Sequence, residues 1–122
     1  MPKDFFILRP EHEEAFGEAA LMRFKKKVVR LLRERHPEVV ESIQNSQLSD
    51  LVDNWVSFAR SYGLVTERQM FSFCESALYM NNSGRNVQED EHCMKLLKAA
   101  IEPDDRASGL RAYCVPRKTS AI

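Results

Sequence analysis

LSDLVDNWVSFARSYGLVTERQM, residues 48–70, holds the most regular apolar pattern in the chain. Leu48, Leu51, Val52, Trp55, Phe58, Ala59 and Tyr62 recur at offsets 0, 3, 4, 7, 10, 11 and 14. That is the period of an amphipathic helix, with Trp55, Phe58 and Tyr62 expected in the core. Gly63 follows the last periodic residue and suits the left-handed conformation that closes a helix. Thr66 then opens T-x-x-Q, a capping box in which Thr66 and Gln69 satisfy the bare N–H groups of a new helix. Val65 and Met70 stand at the spacing of a hydrophobic staple across that start. Tyr62, Gly63, Thr66 and Gln69 therefore fix a corner between two helices.

The flanking sequence reads the same way. Pro10 suits a first helical position, and Glu11, Glu13 and Glu14 suit the positive end of the helix dipole. Phe16, Ala20, Phe24, Val28 and Leu31 continue that stripe, widened by Leu21 and Leu32. The helix should end near His36, because the residue before a proline is pushed out of the α region. Pro37 can open a short helix carrying Val39, Val40 and Ile43, followed by a polar break at residues 44–46. Beyond the corner, Met70, Phe71, Cys74, Ala77 and Leu78 mark a further helix flanked by Phe73 and Met80. MNNSGRN, residues 80–86, is a loop by composition. Asn86 with Glu89 suggests another helix start, striped by Val87, Met94, Leu97 and Ile101. Pro103 ends that helix or opens a short turn across Asp104 to Ser108, and no helical period is visible after Gly109.

The expectation is an all-α fold: one domain over residues 1–122, a compact bundle of about four to five helices. The helical body spans about residues 10–108, with an irregular tail over 109–122. Only four glycines are present, and 43% of the residues are apolar, ample for a core. Eighteen basic residues balance eighteen acidic ones, which argues against wholesale nucleic-acid binding. The run Phe5-Phe6-Ile7-Leu8 is too short for a signal peptide or membrane span. A cytoplasmic protein with reduced thiols is expected.

No catalytic motif stands out. The three cysteines, Cys74, Cys93 and Cys114, have no CxxC spacing. His92 and Cys93, as helix neighbours, point about 100° apart and would struggle to share one ion. No cofactor and no metal is expected, and Cys74 reads as a small core residue. Two features suit a partner. Arg23, Lys25, Lys26, Lys27, Arg30, Arg33 and Arg35 lie on one helix, and Lys26, Lys27, Arg30 and Arg33 share roughly one face. That face would attract phosphates or an acidic surface, or simply keep the protein soluble. Phe5, Phe6 and Ile7 at one end, and Tyr113 and Val115 at the other, are apolar residues that core packing explains least.

ILRPEHEEAF, LLRERHPE and ARSYGLVTERQMFSF together resemble a family of small helical proteobacterial proteins. Their genes often sit beside those for spike proteins, PAAR-repeat proteins and effectors of type VI secretion. The resemblance spans roughly residues 7–80. Tyr62, Gly63, Thr66 and Glu67 match the family's corner; Phe16, Leu32, His36 and Pro37 match its first-helix pattern. After Met80 this chain departs, with NNSGRNVQEDEH and no second Trp. The resemblance implies a non-enzymatic accessory role: a chaperone, co-chaperone or adaptor that binds a secreted effector or another protein of the same locus. The alternatives are an immunity protein that neutralises a cognate toxin, or a nucleic-acid binder using the basic face of residues 23–35.

Overall fold

A computed structural model describes residues 17–116 of the chain. Its described part is all-helical: α1 (Glu18–Arg35), α2 (Pro37–Val40), α3 (Asn45–Ser61), α4 (Glu67–Asn82), a single 3-10 turn (Val87–Glu89), α5 (Glu91–Leu97) and α6 (Pro103–Cys114). The expected start of the first helix at Pro10, with Phe16 on its stripe, lies outside the described residues. So do Phe5, Phe6 and Ile7.

α4 is the centre of the bundle. Its apolar residues fall on every side, the mark of a helix surrounded by others, and eleven of its 16 residues are buried. α6, α3 and α1 all pack on it. α1 contributes Phe24, Val28, Leu31 and Leu32 to the shared core. α3 contributes Leu48, Val52, Val56 and Ala59. The face that α3 buries is thus rotated from the expected stripe: Val56 is central to it, while Leu51, Trp55, Phe58 and Tyr62 are only half-buried. The expected core position of Trp55, Phe58 and Tyr62 is corrected accordingly: they pack against the core from its edge.

The corner after α3 has the anticipated chemistry. Gly63 stands at φ 85°. Leu64 N–H bonds to Ala59 O at 3.0 Å and Gly63 N–H to Arg60 O at 3.0 Å, the paired bonds of a Schellman motif. Leu64, just past the glycine, is wholly buried. Thr66 Oγ1 accepts from Gln69 N at 3.1 Å, and Gln69 Oε1 accepts from Thr66 N at 3.2 Å, completing the capping box. α6 then clamps this corner. Arg106 Nη1 donates to Tyr62 O at 2.8 Å and to Leu97 O at 2.7 Å, serving the last carbonyls of two helices at once. Gln69 Nε2 donates to Asp104 at 2.7 Å.

The C-terminal part departs from expectation. α6 continues through Cys114, where an irregular stretch from residue 109 was anticipated. Its stripe is thin, with only Ala107 and Leu110 fully inside. α5 is shorter than its apolar spacing implied, and Ile101 lies beyond it, 48% exposed. Asn86 caps the 3-10 turn, and Asp90 rather than Asn86 caps α5 through Cys93 N–H at 2.9 Å.

Candidate functional site

The half-buried face of α3 opens onto a groove. Leu51, Trp55 and Phe58 lie at i, i+4 and i+7 on α3 and point toward Phe73 and Ala77 of α4, with Asn54, Ser57 and Asn81 along the edges. A second Schellman motif closes one end. Gly84, at φ 74°, turns the chain while Arg85 N–H bonds to Met80 O at 2.8 Å and Gly84 N–H to Asn81 O at 3.0 Å. The chain then folds back so that Arg85, Asn86, Val87 and Gln88 form the end wall. The cavity measures about 510 Å³, a size that suits one or two large side chains with the backbone that carries them.

The floor is apolar. Phe73, Ala77 and Val87 are fully buried beneath the groove. Phe58 bridges floor and rim, with its ring 5.7 Å from that of Phe73 and 5.1 Å from that of Tyr62. The rim is built of uncharged amides, from Asn54, Asn81, Asn86 and Gln88. Side-chain amides both donate and accept, so such a rim can bond to peptide N–H and C=O groups alike. Among the described residues, Arg85 is the single charged one in the lining, and it is already paired with Asp90. The chain matches no protein-family model, no curated protein and no solved structure.

The residues singled out from the sequence are distributed differently. Arg23, Lys26, Lys27 and Arg30 line one shallow depression on α1, so their common face exists. Lys27, however, is bonded to Glu67 at 3.3 Å. Arg33 does not belong to that face. Its guanidinium turns inward to Val40 O at 2.8 Å, Ile43 O at 2.6 Å and Asn45 Oδ1 at 2.8 Å. It ties the end of α2 to the start of α3, which occupies the donors that a partner would need. Val115 packs back onto the body at 9% exposure. Tyr113 is 44% exposed, but its ring lies 4.2 Å from His92 and its hydroxyl donates to Asp90. None of these residues lines the groove.

A second polar constellation lies inside the bundle. His36, at the α1–α2 junction, is buried with Nε2 2.8 Å from Glu75 Oε2 and Nδ1 2.8 Å from the Tyr79 hydroxyl. Arg111 of α6 donates to the other Glu75 oxygen at 2.6 Å. Burial opposes ionisation of Glu75, but the hydrogen bonds of His36 and Arg111 outweigh it and hold the carboxyl below its ordinary range. The cluster joins α1, α4 and α6 and is satisfied from within, which suits a structural tie. The sequence contained no local sign of it.

His92 and Cys93 diverge, as adjacent helical residues must: the His92 ring lies tilted against Tyr113 while the Cys93 thiol lies against Cys114. No described helix is long and apolar enough to cross a membrane.

Proposed function

We propose that this protein is a non-enzymatic, protein-binding accessory factor that captures an uncharged, apolar segment of another polypeptide in the α3–α4 groove. The observation that carries this reading is the placement of Trp55 and Phe58. Two large aromatic side chains stand half-exposed over a buried apolar floor, within a rim of neutral amides. Aromatic anchors in a pocket are the usual energetic centre of a protein interface. Amides around them favour peptide backbone over phosphate, because phosphate recognition relies on cations. Arg85 is the one titratable side chain among the described lining residues, a set equipped to hold and not to move protons.

The partner class follows the motif resemblance: a type VI secretion effector, or another accessory protein encoded at the same locus. An apolar segment of such a partner would be shielded from water while bound, which is the work of a chaperone or adaptor.

Co-expression with tagged products of the neighbouring genes tests the reading. A stoichiometric complex should form with one of them, be lost with Trp55→Ala, and persist with Lys26→Glu. Failure of every neighbour to copurify, or a complex indifferent to Trp55→Ala, would overturn it.

A further inference from the structure

All three cysteines are free thiols, yet two of them converge from different helices. Cys93, in the first turn of α5, and Cys114, the last residue of α6, place their Sγ atoms 3.7 Å apart. A disulfide bond is about 2.05 Å long, so the two sulfurs need to approach by only about 1.7 Å. Rotation of the Cys114 side chain, with a small shift of the last helical residue, has to supply that movement. Cys114 is followed at once by Val115 in extended conformation, so no helical turn continues beyond it. Cys93 is the fixed partner, wholly buried and with its N–H held by Asp90. Cys114 is half-buried and within reach of a small reagent. Cys74, on the central helix, is fully buried.

We propose that Cys93 and Cys114 form a redox modification site, converted by a low-molecular-weight disulfide into an intramolecular bridge that fastens α5 to the end of α6. The Cys114 thiolate attacks the small disulfide, joins one of its sulfurs and releases the other half as a thiolate. The Cys93 thiolate then attacks Cys114 Sγ, and the second half leaves. Two protein thiols lose two protons and two electrons, and the small disulfide is reduced to two thiols. Burial holds both thiols above their ordinary range, and the neighbouring sulfur adds to the effect at Cys93. The exchange is therefore slow, as befits a structural lock and not a catalytic thiol.

The test is incubation of the full chain with oxidised glutathione, followed by intact mass and peptide mapping under conditions that block free thiols. The mass should fall by two hydrogens, with the peptides of Cys93 and Cys114 joined and Cys74 still a thiol. The thermal midpoint should rise by roughly 10 °C, the gain expected for closing a loop of this length in a domain of this size, and return on reduction. Cys114→Ser should show neither change. A glutathione adduct that persists on Cys114, a bridge through Cys74, no reaction, or a bridged protein with an unmoved midpoint would each overturn the proposal.

Discussion

His36 Nε2 lies 2.8 Å from Glu75 Oε2, in a pair whose side chains are 4% and 3% exposed. The two residues are 39 positions apart, and their contact joins the end of α1 to the middle of α4. Nδ1 lies 2.8 Å from the Tyr79 hydroxyl, so both ring nitrogens of His36 have a polar partner. Removing Glu75 leaves the buried His36 facing a void and takes from Arg111, half exposed, its tie to the bundle. Glu75→Ala is predicted to cost about 3 kcal/mol, read as a lower urea midpoint with an unchanged slope. An unchanged midpoint would show that the cluster is not a tie.

The same carboxyl gives a pH signature. Its folded pKa is depressed, so its contribution is complete above the unfolded value and is lost as pH falls through the folded one. Stability should therefore decline on acidification below the ordinary carboxylate range. Glu75→Gln should flatten that decline. Urea melts at several acidic pH values compare the two proteins, and parallel curves would refute the assignment.

Gly63 is predicted to resist replacement. A Cβ there would meet Arg106 Nη2 at 3.5 Å, an ordinary contact, so space is not the obstacle. The obstacle is φ at 85°, which costs a non-glycine residue roughly 1–2 kcal/mol. Thr66→Ala should cost about 1 kcal/mol by opening the capping box. Thermal or urea melts measure both. A neutral Gly63→Ala would mean that the corner relaxes without strain.

Arg106→Met should be more damaging than either. It keeps the aliphatic stem but leaves two helix-end carbonyls, of Tyr62 and Leu97, without their donor. A loss of about 2–3 kcal/mol is expected from denaturant melts. Arg106→Lys should recover little, because an ammonium lacks the planar fork.

Trp55 is the one tryptophan in the chain, so its fluorescence reports groove occupancy directly. Partner binding should shift its emission to the blue as water leaves the ring. Trp55→Ala should weaken the complex at least about tenfold while costing only roughly 1–2 kcal/mol of stability, since the ring is half-buried. Affinity should change little with salt, because the described lining of the groove carries a single, paired charge. A steep salt dependence would instead direct attention to Arg23, Lys26 and Arg30.

The helix ends were legible because capping chemistry is local: Gly63, Thr66 and Gln69 act within a few residues of one another. The site was less so. Periodicity reveals that a helix face is apolar, but not how much of that face a neighbour covers. Leu51, Trp55 and Phe58 form a true stripe, yet α4 covers only part of it, and Val56 carries the centre. Arg33 looked like one more cation of a basic face because its carbonyl partners come from the next two segments. His36 and Glu75 gave no sign, being joined only by the fold. The full length of α6 is not legible, because Ala107 and Leu110 are too sparse a stripe to outweigh Gly109.

The central position of α4 has a consequence for synthesis. Its flank is closed by α6, which leaves the ribosome after every other described helix. Until residues 103–114 emerge, Glu75 lacks its guanidinium partner and the carbonyls of Tyr62 and Leu97 lack theirs. A nascent chain halted at residue 102 should remain sensitive to protease, and one extended through residue 116 and clear of the exit tunnel should become resistant. Resistance of the shorter chain would mean that the first helices already form a finished body.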